Sequence, residues 1–227
     1  MPPGCLIAIC GIDGSGKTTQ AALLAERAAA EGRQVRQMSF PRYGQGFFAD
    51  LIQRYLRGEF SERARDVSPY LAALPYALDR WQAAGELRGW MAEGCLVLCN
   101  RYVPANMAHQ GSKLADEAAR REFYEWVRAL EYGVLGLPRP DLCVLLDMPS
   151  RLGAQLAGAR AAYRAGSAER DIHEADLEHL RATALAYREI AALEPDGWAV
   201  VQCAGAGELL SRQEVARRVW AEVAKAL

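Results

Sequence analysis

Five short runs along the chain read as strands: CLIAIC (5–10), RQVRQMSF (33–40), CLVLCN (95–100), DLCVLLDM (141–148) and WAVVQC (198–203). Between them lie longer segments, such as QAALLAERAAAEG (20–32) and DEAARREFYEWVRALEYG (116–133), whose apolar positions recur at helical spacing. Apolar strands alternating with helices predict an α/β fold, a doubly wound five-stranded parallel sheet with helices on both faces. Gly32 is placed to end the first helix, and GLPRPD (136–141) breaks the chain before the fourth strand. The stretch from about 157 to 172 is rich in Gly, Ala, Ser and Arg with little apolar periodicity, which predicts a mobile basic flap.

The chain's 227 residues are 51% hydrophobic and 24% charged, so one domain spanning 1–227 is expected. A net charge of −1 argues against a general nucleic-acid surface. No apolar run approaches the ~20 residues that span a bilayer, so no membrane partner is expected. MPPGCLIAIC has no charged region ahead of its apolar stretch, unlike a secretory signal. The six cysteines (5, 10, 95, 99, 143 and 203) form no C-x-x-C pair and no zinc-like cluster with histidine. Their apolar settings read as buried, reduced thiols of a cytoplasmic protein.

GIDGSGKTTQ (11–20) follows the first strand and opens the first helix. Gly11-x-x-x-x-Gly16-Lys17-Thr18 is a complete P-loop in its proper strand–loop–helix context. With Gly14, Ser15 and Thr19 it forms a cradle of backbone N–H groups at a helix N-terminus, the place for the phosphates of ATP. Lys17 is expected on the outer phosphates and the Thr18 hydroxyl on Mg²⁺. Asp13, an acid inside an anion-binding loop, is expected to meet the metal or a sugar hydroxyl of a second substrate.

Four further clusters fall where a doubly wound sheet gathers the carboxyl ends of its strands. In FPRYG (40–44), Arg42 has the chemistry to grip an anion bidentately. In LPYALDRWQ (74–82), Tyr76 and Arg80 are one helical turn apart, an aromatic face beside a donor. In NRYVPANMAHQGSK (100–113), Arg101 is placed to bridge donor and acceptor phosphates, Asn106 and Gln110 to read a base edge, and His109 to pack. In the flap, Arg160, Arg164 and Arg170 are candidates to close over the triphosphate as charge develops. No Ser-His-Asp set or carboxylate pair stands near the cradle. None is needed if the acceptor is a phosphate monoester, largely a dianion at pH 7 with its second pKa at ~6.

The ordered set — P-loop with internal acid, FPRY, aromatic-x-x-x-Arg helix, NRYVPANMAHQG, and an Arg-rich flap ending in DIHE — resembles the thymidylate kinase family over nearly the whole chain. The resemblance implies phosphoryl transfer from ATP to dTMP with Mg²⁺, and a homodimer. It implies that Arg42 binds the acceptor phosphate, Tyr76 stacks on thymine, Arg80 meets a thymine carbonyl, Asn106 and Gln110 read the pyrimidine edge, and Asp13 meets the 3′-hydroxyl or the metal. It also implies that the catalytic arginine sits in the flap, since the loop interior has Ser15, and that VQCAGAGE (201–208) lines the adenine. One position departs: the family's usual Asp-Arg-Tyr is here Asn100-Arg101-Tyr102, so Asn100 offers the metal an amide oxygen without charge. The alternatives are a kinase of another nucleotide or nucleoside, and a weakly catalytic nucleotide-binding module.

Overall fold

The computed structural model describes residues 4–61, 63, 66–163, 177–205 and 207–227, without the side chains of 160–163. Its centre is strand β1 (Cys5–Cys10), buried at every position. The chain continues through α1 (Lys17–Ala30), β2 (Val35–Ser39), α2 (Phe47–Leu56), α3 (Pro69–Ala92) and β3 (Leu96–Asn100). Next come α4 (Val103–Gly111), α5 (Glu117–Arg128) and a π-helical segment, Ala129–Val134, that prolongs α5. The remaining elements are β4 (Leu142–Asp147), α6 (Ser150–Tyr163), α7 (Leu177–Leu193), β5 (Trp198–Gln202), a hairpin of β6 (Ala204–Gly205) and β7 (Glu208–Leu209), and α8 (Arg212–Val223).

The five long strands form one parallel sheet in the order β2-β3-β1-β4-β5. This is the α/β architecture that the alternation of strands and helices predicts. The two edges explain the more polar strands. In β2, Arg36, Gln37 and Ser39 are exposed, whereas β1 and β4 are buried throughout. The small β6–β7 hairpin was not legible, because two-residue strands carry no periodicity.

From β1 the chain crosses to β2 on one side, and from β3 it crosses β1 to reach β4 on the other. Connections that part in this way leave a crevice at the carboxyl ends of β1 and β3. The register puts Ile9 beside Asn100, so the loop after β1 and the residues after β3 emerge together.

Part of the expected flap belongs to a regular element: α6 continues through 157–163, and Ala157 is buried. The alanines there favour helix despite weak periodicity. Arg160 lies on this helix, while Arg164 and Arg170 fall outside the described residues. All six cysteines are free and buried.

Candidate active site

The P-loop turns out of β1 at Gly11 and enters α1 through Gly16, the N-cap residue. Gly14 holds φ at 79°, and a β-carbon there would stand 2.0 Å from the carbonyl oxygen of Gly153 on α6. The loop is therefore locked against α6 by a backbone approach that no side chain permits. Gly14→Ala is expected to lower the melting temperature by roughly 2–8 °C, since left-handed backbone alone costs ~1–2 kcal/mol for an L-residue. Differential scanning calorimetry reads this, and an unchanged melting temperature would show that residue 14 is not held in this left-handed conformation against α6.

Lys17 bends back over the loop, donating from Nζ to the carbonyls of Gly11 at 3.0 Å and Ile12 at 2.7 Å, with Asp13 at 3.8 Å. The Ser15 hydroxyl oxygen is buried with no partner among the described residues. Thr19 lies in the first turn of α1. Thr18, also in that turn, is exposed, and its hydroxyl accepts from Asn100 Nδ2 at 3.2 Å. That contact joins the P-loop to the end of β3. The side-chain oxygen of Asn100, Oδ1, is buried without a partner among the described residues.

Arg101 is the only non-glycine among the described residues with positive φ, at 64°. Its backbone N–H bonds Ile9 on β1 at 3.0 Å. Its guanidinium is clasped from two sides, by Asp13 of the P-loop and by His109 Nε2 at 2.6 Å from Nη1. The backbone strain is held by these contacts. Burial opposes ionisation of Asp13, but Arg101, Lys17 and His109 outweigh it and hold the carboxyl well below the usual range. Asp13 thus stays charged at any working pH. Two cations, Arg101 and Lys17, flank it.

Across the cleft, α3 presents Tyr76 and Arg80, and α4 presents Asn106 and Gln110, all on one wall. Arg80 is only 2% exposed and forms a fork with Glu131, Nε to Oε2 at 2.6 Å and Nη2 to Oε1 at 2.7 Å. Burial disfavours its charge, yet Glu131 more than compensates and raises its pKa. Asn106 Nδ2 donates to Ala73 O at 3.1 Å and to Glu131 Oε1 at 2.8 Å. The side-chain oxygens of Asn106 and Gln110 are buried and unpartnered.

One expected residue stands elsewhere. Arg42 donates from its backbone N–H and its Nε to Asp79 of α3, at 3.0 and 3.1 Å, while Pro41 and Tyr43 line the cleft. The buried carboxylate thus takes Nε of the guanidinium and fixes its direction. Tyr43 and His109 are wall residues that the sequence reading left unassigned or gave to packing. Glu131 was missed, although a signal existed. It continues the buried phase of Tyr124 and Val127 at i, i+3 and i+7, so it is a carboxylate on an apolar face.

A P-loop at the centre of this sheet, with a second polar cleft beside it, defines a P-loop nucleotide kinase. The thymidylate kinase family model matches residues 9–213. Thymidylate kinase of Mycobacterium tuberculosis (strain H37Rv) is 38% identical over 193 residues, 85% of this chain and 87% of that protein. The thymidylate kinase of Syntrophotalea carbinolica is 33% identical over 222 residues, 97% and 95% of the two chains. The solved structure of thymidylate kinase from Candida albicans shares the fold, at 22% identity and a TM-score of 0.70, over 99% of this chain and 93% of that one. The chain belongs to the thymidylate kinase family.

Proposed function

We propose that the chain transfers the terminal phosphoryl group of ATP to dTMP, giving dTDP and ADP. The observation that carries this reading is one continuous cleft of about 460 Å³, running from Lys17 and Thr18 past Arg101 to Tyr76, Arg80, Asn106 and Gln110. Donor phosphates lie in the P-loop cradle and the acceptor base against the α3–α4 wall. Arg101, between them, meets the acceptor phosphate. Arg42 is oriented by Asp79 through Nε, which leaves its two Nη nitrogens for that phosphate.

Tyr76 stacks on the base. The guanidinium of Arg80 donates to a base carbonyl, and the orphan oxygen of Asn106 accepts a ring N–H. Gln110 lies beside them. Asp13 takes a sugar hydroxyl with the oxygen that Arg101 leaves. The acceptor phosphate is already nucleophilic, so these residues hold two anions in line and offset their repulsion. Lys17 swings from the loop carbonyls to the outer phosphates. Arg160, Arg164 and Arg170 are the candidates to neutralise the triphosphate as charge develops. The turn after β5, with the β6–β7 hairpin, offers backbone groups to the adenine.

The hydroxyl of Thr18 and the unpartnered oxygen of Asn100 fit Mg²⁺, which takes few protein ligands and keeps water and phosphate oxygens. No cluster of three or more acids, histidines or cysteines capable of holding a metal occurs among the described residues. When bound, Mg²⁺ neutralises phosphate charge. No helix of the described residues is long and apolar enough to cross a membrane. Six buried free thiols suit a reducing cytoplasm, and the family resemblance suggests a homodimer.

ADP release measured across a panel of nucleoside monophosphates tests the reading. dTMP should give the highest kcat/KM, and equal turnover with purine monophosphates would defeat it. A second test targets Asn100. Asn100→Asp keeps the shape and adds a charge beside Thr18, so the Mg²⁺ concentration for half-maximal dTMP-dependent rate should fall, with a smaller effect at saturating metal. Superimposable titrations would remove Asn100 from the neighbourhood of the ion.

A further inference from the structure

Glu131 is fully buried, touches no part of the cleft, and joins the two residues that read the base. It sits on the π-helical segment Ala129–Val134, where Leu135 N–H reaches back to Leu130 O at 2.8 Å. Such π-turns are frequent at functional sites. Both oxygens of Glu131 are occupied. Oε2 accepts from Arg80 Nε, and Oε1 accepts from both Arg80 Nη2 and Asn106 Nδ2.

The consequence is chemical. The fork leaves Nη1 as the edge of Arg80 outside the ion pair. Because the Asn106 amide nitrogen faces Glu131 and Ala73 O, its oxygen is the atom left for the cleft, and that oxygen is buried and unpartnered. The wall therefore shows a donor beside an acceptor. A pyrimidine-2,4-dione offers the complement, an acceptor at C4 and a donor N–H at N3. A 4-aminopyrimidine offers the reverse at both atoms.

We propose that Glu131 is a specificity-determining positioning residue, fixing Arg80 and Asn106 in the donor–acceptor order that admits a pyrimidine-2,4-dione nucleotide and rejects a 4-aminopyrimidine. The inference rests on the reading of that wall as the base site. A glutamine at 131 supplies one acceptor and one donor to three donors, so one of the two readers must turn away.

The test compares dTMP with 5-methyl-dCMP, which shares the methyl group, sugar and phosphate and differs only at this edge. The wild type favours dTMP. Glu131→Gln is expected to lower that preference by about tenfold or more, with the KM for ATP unchanged. Asn106→Ala, which leaves the buried carboxylate in place, is expected to lower it similarly and decides the matter if Glu131→Gln does not fold. A Glu131→Gln enzyme with both rates reduced equally would overturn the inference, as would an Asn106→Ala enzyme with wild-type preference. A wild type that does not prefer dTMP would overturn the functional reading and the inference together.

Discussion

Lys17→Ala is expected to fold and melt like the parent protein while turning over dTMP two to three decades more slowly. Nζ rests on two loop carbonyls and near Asp13, contacts that water replaces at little cost in an open cleft. It lies within reach of the outer phosphates, where charge develops. Removing a preorganised electrostatic stabiliser typically costs ~3–4 kcal/mol of transition-state energy. Steady-state kinetics beside circular dichroism measure both halves of the expectation. A folded variant with wild-type kcat would assign the catalytic cation elsewhere.

Arg80→Ala should injure the fold as well as the activity. Reading the sequence alone, Arg80 is a base contact on a helix face, and its loss is a loss of kcat/KM for dTMP. The buried fork adds a second effect, because truncating Arg80 strands the Glu131 carboxylate in the core. Breaking a buried pair from one side costs ~3–5 kcal/mol, roughly 6–20 °C in melting temperature for a chain of this size. Replacing both partners, as in Arg80→Met with Glu131→Leu, removes the stranded charge and should recover most of the loss. A double variant no more stable than Arg80→Ala would show that the pair is not what holds this region. In either background, kcat/KM for dTMP stays depressed, while the KM for ATP stays near the parent value.

The legible parts of the molecule were those written in local pattern. Apolar runs such as 5–10 and 141–148 had to be central strands, and the spacing of Gly11, Gly16 and Lys17 admits few other readings. The residues on the far wall were also legible, because Tyr76 with Arg80, and Asn106 with Gln110, are helical neighbours. What stayed hidden were partnerships across long sequence distance. Arg42 with Asp79, Arg80 with Glu131 and Arg101 with Asp13 each join separate elements, and no local period announces them. Two expected site residues carry such partners: Asp79 holds Arg42, and Arg101 and Lys17 flank Asp13. The helix at the start of the flap segment was hidden because alanine-rich sequence forms helix without a marked apolar stripe.

The six sulfhydryl groups give the protein a built-in gauge of its own opening. Burial pushes Cys5 and Cys203 up to about 12, and all six cysteines are enclosed, so an alkylating reagent has little access to a thiol on the native molecule. Cys5, Cys10, Cys99 and Cys143 lie in or against three adjacent strands of the sheet, and none becomes accessible through local fraying of a helix end. Modification of those four therefore counts molecules whose sheet has come apart. Any nucleotide that binds the closed cleft should slow that labelling in proportion to its occupancy, with no engineered probe and no turnover.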